Sequence, residues 1–209
     1  MNSLFAFTLG VILQLVTFKP VDTTTPEAVD AICSNEAQAH LCTIASDVSG
    51  VVGQASRLPF NGPAKYEASA MVLVSIANHE SHFRSGIYDC SLCDGKTARC
   101  DHGRSVSIYQ MQRSAWQGFD RQSVCEDDFI ASYLAFRWYL KFASPSPKSS
   151  FRGYAGCQLD LDCKGADGIT ADFEKVLRKA HLFLNGRYAT YLKLPPPAAV
   201  STAELLSSR

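Results

Sequence analysis

The sequence has no excess of charge of either sign, because 20 basic residues balance 20 acidic ones in a chain of 209. Proteins that bind nucleic acid usually carry a basic surface that neutralises phosphate groups. The balanced composition gives no indication of such a surface over the whole molecule. We therefore expect no nucleic-acid partner.

The N-terminal apolar run lacks the length and the flanking residues that would define its role. It covers residues 4–18 and is interrupted by Thr8, Gln14 and Thr17, whereas a membrane-spanning helix needs about 20 apolar residues. No Lys or Arg precedes the run and no Ala-x-Ala motif follows it, although both are typical of secretory signals. Two interpretations stay open: an export signal or membrane anchor, which we favour, and a buried or amphipathic first helix.

Internal repeats and the apolar–polar alternation of half-buried strands are also missing, which favours a mainly α fold. A chain of this length with 46% hydrophobic residues can bury one sizeable core. We expect an apolar N-terminal segment and linker at residues 1–24, one helical domain at residues 25–190, and a Pro/Ala/Ser-rich tail at residues 191–209. A monomer is expected, with membrane association only through the N-terminal segment.

Glu80 lies on the apolar face of a predicted helix. Tyr66, Ala70, Leu73 and Ala77 follow one another at spacings of four, three and four, and Glu80 comes three residues later. A carboxyl group on such a stripe is partly desolvated, and desolvation raises its pKa. A raised pKa suits a general acid, although an isolated buried Glu is more often tied up in a salt bridge or in hydrogen bonds.

Three short motifs occur in an order that resembles one enzyme family. They are Glu-Ser-His-Phe at residues 80–83, Ser-Val-Ser-Ile-Tyr-Gln at residues 105–110, and Tyr-Ala-Gly at residues 154–156. The chain resembles the lysozyme-like lytic transglycosylases, in the superfamily of goose-type lysozyme and glycoside hydrolase family 23. The family patterns are Glu-Ser-x-Phe, Ser-x-Gly-x-x-Gln and Tyr-Asn-x-Gly, so Ser107 replaces a Gly and Ala155 replaces an Asn.

The resemblance implies a single lysozyme-like domain that cleaves peptidoglycan glycan strands between N-acetylmuramic acid and N-acetylglucosamine. Glu80 would be the catalytic acid and base, and Ser81 would orient Glu80 or the substrate's acetamido group. Gln110 and Tyr154 would line the cleft. The family reaction uses one Glu and needs no cofactor, because the substrate's own N-acetyl group and C6 hydroxyl replace a second carboxylate.

Two further residues of the second motif are candidates for substrate contact. Ser107 would face the cleft if its turn runs close to the sugar, and Tyr109 is as consistent with packing as with binding. The loop aspartates Asp89, Asp94 and Asp101 have no placement from sequence. A hydrolytic lysozyme or endolysin and a non-catalytic wall-binding relative stay open as alternatives. The expected location is the periplasm, cell envelope or exterior, and a phage lysin would also fit.

The eight cysteines form an even and dispersed set, which favours disulfides in an oxidising compartment. Cys33–Cys42 and Cys157–Cys163 are plausible local bridges. The alternative is a zinc knuckle in the loop that carries Cys90, Cys93, Cys100 and His102. We expect no metal at the catalytic site, since zinc-binding helices place His at i and i+4 whereas His79 and His82 are three apart.

Downstream of the second motif, Ser123 and Glu126 match a capping box that would open a helix through residue 140. That helix is apolar over most of its circumference, so we expect it to be central and largely buried. Trp138 lies on it and is more simply explained by core packing than by sugar stacking.

Overall fold

The computed structural model describes residues 3–19, 21–88, 90–93, 100–144, 146–157 and 163–183. Within these ranges the chain forms α-helices and one isolated antiparallel bridge between Val106 and Met111. The prediction of a mainly α fold is confirmed. The helices are α1 (Ser3–Thr17), α2 (Pro26–Cys33), α3 (Glu36–Gln54), α4 (Lys65–Ser81), α5 (Ser85–Tyr88), α6 (Cys100–Gly103), α7 (Arg121–Glu126), α8 (Asp128–Lys141), α9 (Pro147–Tyr154) and α10 (Lys164–Phe183).

The centre of the fold is α4, which contacts α1, α3, α8 and α10. All its residues from Ala68 to Asn78 are buried. Many of them are Ala or Ser, and small side chains allow neighbouring helices to approach closely on every side. We expected α8 to be central, but α8 leaves Phe129 and Tyr133 exposed. The Glu80 helix is therefore the one around which the others pack.

The N-terminal helix α1 is part of the same core. Leu9, Val11, Ile12 and Leu13 are completely buried against α3, α4 and α10. The hydroxyl of Thr23 donates a hydrogen bond to the carbonyl oxygen of Ala6 at 2.8 Å and so holds the following segment against the helix. This packing corresponds to the buried-helix interpretation of the apolar run.

No helix in the described part of the chain is long and apolar enough to cross a membrane. Association of the N-terminal segment with a membrane surface stays a prediction, as do the division of the chain near residue 24 and the monomeric state. The predicted tail at residues 191–209 lies outside the described residues.

Aspartate side chains decide where two of the helices begin. The predicted capping box at Ser123 is wrong, because Asp120 caps α7 by accepting a hydrogen bond from the Ser123 amide. The chain then breaks after Glu126, and Asp127 caps α8 by accepting from the Ile130 amide. A carboxylate is as good a cap as a hydroxyl and adds a favourable interaction with the helix dipole.

All eight cysteines are paired, so the disulfide interpretation is confirmed. The two local bridges, Cys33–Cys42 and Cys157–Cys163, form as predicted. The zinc-knuckle alternative is wrong, since Cys90 pairs with Cys125 and Cys93 pairs with Cys100. These two pairings could not be read from the sequence, because cysteine spacing alone does not define disulfide connectivity. The Cys90–Cys125 bridge in addition joins residues that are 35 positions apart.

Asp47 lies where α3 meets the first turn of α8. Burial, with the nearby carboxylates of Asp128 and Asp127 adding to it, raises the pKa of Asp47 from 3.8 to about 7. In the unfolded chain this carboxyl group ionises near pH 4. Between those two values the folded state holds a proton that the unfolded state has lost, so stability increases as the pH falls from about 7 towards 4.

We expect Asp47→Asn to raise the free energy of unfolding at pH 8 by about 1 kcal/mol, after allowance for solvent screening of a half-buried group. This gain should shrink as the pH falls from about 7 and should vanish only below about pH 4, where Asp47 is protonated in the folded and in the unfolded state. Urea titrations at pH 4.5, 6 and 8 measure this difference. Asp30→Asn on the exposed side of α2 is the control for removal of one charge. A gain that is constant with pH would contradict the assignment.

Candidate active site

A surface cavity of about 280 Å³ opens beside the last turn of α4. Glu80 is partly buried at its edge. The other walls come from the segment after the Val106–Met111 bridge, from α8, and from the junction of α9 and α10. The lining residues are Glu80, Gln110, Met111, Gln112, Ser114, Ala115, Trp138, Tyr154, Ala155, Gly156 and Gly165. Three residues predicted from the motifs, Glu80, Gln110 and Tyr154, therefore meet at one concave surface.

Tyr154 is the last residue of α9 and lines this cavity. Its hydroxyl donates a hydrogen bond to the carbonyl oxygen of Tyr109 at 3.1 Å. Burial raises the pKa of Tyr154 well above its ordinary value, and the nearby Glu80 carboxylate adds to the shift. The phenol therefore stays neutral at physiological pH, with its O–H group engaged by the Tyr109 carbonyl oxygen.

Gln110 is held by a tight turn between the two bridged residues. Val106 and Met111 exchange two backbone hydrogen bonds of 3.1 and 3.0 Å. The backbone N–H of Gln110 donates a hydrogen bond to the Ser107 carbonyl oxygen at 3.0 Å. The Gln110 side chain also donates to the Ser107 carbonyl oxygen, at 2.9 Å. Ser107 and Gln110 both have a positive φ, of 61° and 46°. The turn thus fixes the amide side chain at the cavity wall.

The backbone at Ser107 is left-handed, a conformation that Gly adopts without steric cost and Ser adopts rarely. Ser107 is buried, and its hydroxyl accepts a hydrogen bond from the Tyr109 amide at 3.3 Å. Its amide lies 3.5 Å from the Cys90 sulfur. Ser107 is not among the residues that line the cavity, so its expected contact with substrate finds no support in this geometry.

Ser81 and Tyr109 also lie beneath the cavity surface. The Ser81 hydroxyl donates to the Ala77 carbonyl oxygen at 2.8 Å and accepts from the Phe83 amide at 3.2 Å, which closes the end of α4. The Tyr109 hydroxyl is hydrogen-bonded to Ser132 at 2.8 Å. Both residues support the backbone that carries Glu80 and Gln110, and neither lines the cavity.

Trp138 is the lining residue that sequence reasoning assigned to the core. The indole N–H donates to the Tyr154 carbonyl oxygen at 3.1 Å, and Phe142 packs against the ring edge with centroids 5.1 Å apart. The ring is only partly buried and leaves one side of the cavity aromatic. The position of Trp138 along α8 could not show whether the residue faces the core or the cavity, because both kinds of residue lie on the same apolar face of the helix.

Glu80 is the only carboxylate among the described residues that line the cavity. Asp89 and Asp94 lie outside the described residues, as does the side chain of Asp101. The described part of the chain also contains no group of three or more His, Cys, Asp or Glu side chains that could hold a metal ion. The described cavity therefore brings together one carboxyl group, a neutral phenol, an amide and an indole ring.

Comparison with protein-family models, with curated proteins and with solved structures finds no match in any of the three. The interpretation of the cavity therefore depends on its own residues and on the motifs of the sequence.

Proposed function

We propose that this protein cleaves peptidoglycan glycan strands at the β-1,4 bond between N-acetylmuramic acid and N-acetylglucosamine, by lytic transglycosylation. The observation that carries the proposal is the meeting of Glu80, Gln110 and Tyr154 around one cavity. Each comes from a different sequence motif, and the residues are separated by 30 and 44 positions along the chain. Their convergence is what a substrate cleft of this family requires.

Glu80 has both proton-transfer roles in the proposed reaction. Its carboxyl group gives a proton to the glycosidic oxygen while the bond from that oxygen to C1 of N-acetylmuramic acid breaks. The developing positive charge at C1 is met by the substrate's own N-acetyl oxygen. The Glu80 carboxylate then takes the proton of the C6 hydroxyl as O6 bonds to C1. This sequence yields a 1,6-anhydro sugar and returns Glu80 to its protonated form.

The remaining lining residues have roles that suit a sugar polymer. The part of the Trp138 ring that lines the cavity offers apolar area to the C–H groups of a pyranose ring. The Lys141 ammonium group lies over the ring, 4.9 Å from its centroid, and the indole N–H stays satisfied by Tyr154. The Gln110 amide can exchange hydrogen bonds with hydroxyl or acetamido groups. Tyr154 holds the Tyr109 carbonyl oxygen through its hydroxyl and so keeps the neighbouring Gln110 at the cavity wall.

The proposed substrate lies outside the cytoplasm, so we also propose that the protein is exported to the cell envelope or released, as a wall-remodelling enzyme or as a phage lysin. Four disulfides fit an oxidising compartment, where such bonds persist. The proposal therefore agrees with the covalent framework of the fold.

Mass spectrometry of the soluble products from purified peptidoglycan tests the proposal. We expect muropeptides that end in 1,6-anhydro-N-acetylmuramic acid, which are lighter by one water than the products of hydrolysis. Products with a reducing N-acetylmuramic acid would identify a hydrolytic lysozyme instead. Binding of the protein to peptidoglycan without any release of product would identify a non-catalytic wall-binding protein.

A further inference from the structure

One face of α10 links the cavity wall to the residue that precedes Glu80. Gly165, Gly168 and Asp172 are spaced by three and four residues and so lie on the same side of this helix. Gly165 lines the cavity, whereas Gly168 and Asp172 contact His79 at the end of α4. The position of the α10 wall is thereby tied to the last turn of α4.

The contact with His79 is specific in its geometry. The Nδ1 atom of His79 lies 3.0 Å from Oδ2 of Asp172, and the two side chains are 28% and 21% exposed. A Cβ atom on Gly168 would lie 2.2 Å from Cε1 of His79, far inside van der Waals contact. The His79 ring therefore occupies space that only a glycine leaves open. This polar contact joins the last turn of α4 to α10.

We infer that His79 is a positioning residue for Glu80, and that it acts through a clamp formed by His79, Gly168 and Asp172. The inference rests on the proposed function. The clamp sets the separation between the Glu80 carboxyl group and the wall that Gly165 contributes. Proton transfer to a glycosidic oxygen needs the two atoms at hydrogen-bond distance, and a misplacement of about 1 Å can cost as much as a hundredfold in rate.

Two further links at the same end of α10, one covalent and one ionic, join it to α9. The Cys157–Cys163 disulfide connects the two segments that carry Gly156 and Gly165, and Lys148 pairs with Asp167 at 2.8 Å. These links keep the α9 and α10 walls together as one side of the cavity. The clamp adds a polar contact to the apolar packing of α10 against α4 and so helps to locate this side relative to the helix of Glu80.

Steady-state kinetics on soluble, uncrosslinked glycan strands separates positioning from stability. Measured well below the melting temperature, where all variants are folded, His79→Ala and Asp172→Ala should lower kcat at least about tenfold and change KM less than about threefold. Asp172→Asn keeps an oxygen that can accept the His79 N–H, so it should retain most of the wild-type kcat. A pair with only a structural role would leave kcat unchanged in all three variants.

A double-mutant cycle tests the glycine contact independently of activity. Gly168→Ala should lower the melting temperature in the wild type, because the new methyl group displaces the His79 ring. In the His79→Ala background the methyl group has room, and the same change should be neutral or stabilising, since Ala favours a helix more than Gly does. Gly53→Ala on α3 is the matched control, because a Cβ atom there has no neighbour within 4 Å.

The two proposals can fail separately. An active wild type together with full kcat in His79→Ala and Asp172→Ala would overturn the clamp while leaving the proposed function standing. Equal effects of Gly168→Ala in both backgrounds would overturn the geometry of the clamp. A folded wild type that releases no product from peptidoglycan would overturn the proposed function, and with it the role of His79 in catalysis.

Discussion

Glu80→Gln should reduce the release of soluble products from peptidoglycan at least about a hundredfold, because Gln keeps the shape of the side chain but cannot donate the proton. General acid–base catalysis typically contributes a factor of about 10² to 10⁴. The expected loss is large because no second carboxylate lies among the described residues that line the cavity. Initial rates of product release and the melting temperature of each variant are the measurements.

Glu67→Gln is the matched control for this change. Glu67 lies in the first turn of the same helix, so the substitution removes one carboxylate from α4 without touching the cavity. We expect its rate to stay within about twofold of wild type, as is usual for a surface change away from the site. A Glu80→Gln variant that cuts within a few-fold of wild type would remove Glu80 from the catalytic role.

Leu9→Asp should largely prevent folding. Leu9 is completely buried in α1, and an unpaired carboxylate at such a site costs several kcal/mol in addition to the lost apolar contacts. A domain of this size is stable by only about 5–15 kcal/mol in total. Circular dichroism and urea titration of the purified full chain measure the loss of helix and of cooperative unfolding.

Val16→Asp places the same charge on the same helix at a position that is 42% exposed. We expect it to change the free energy of unfolding by no more than about 1 kcal/mol. The contrast between the two variants reports whether α1 packs in the core or is a detachable segment. If both variants unfold like the wild type, the N-terminal segment lies outside the folded domain.

Local sequence patterns predicted the helix that carries Glu80 and the start of one further helix. The apolar period that runs to Glu80 predicted α4, and Thr25 with Pro26 predicted the start of α2. The same patterns could not show that α4 is buried on all sides, because its many Ala and Ser residues give little contrast between faces. Burial of that kind depends on which helices surround it, and these come from distant parts of the chain.

Only those residues of the candidate site that belong to a sequence motif could be predicted. Glu80, Gln110 and Tyr154 do, and they line the cavity together. Trp138 carries none, since an aromatic residue on an apolar helix is the same in sequence whether it faces the core or a cleft. The His79–Asp172 contact spans 93 positions and depends on the absence of a side chain at Gly168. No local pattern encodes such a contact.

The packing of α1 against α10 has a consequence for the order of events during synthesis. The first helix leaves the ribosome long before its partner, and production of the intervening chain takes on the order of ten seconds. During that interval α1 is an exposed apolar helix on a nascent chain, which is a surface that chaperones and targeting factors bind. The residues of α1 that complete the core of the folded protein are therefore exposed to chaperones and targeting factors while the rest of the chain is being synthesised.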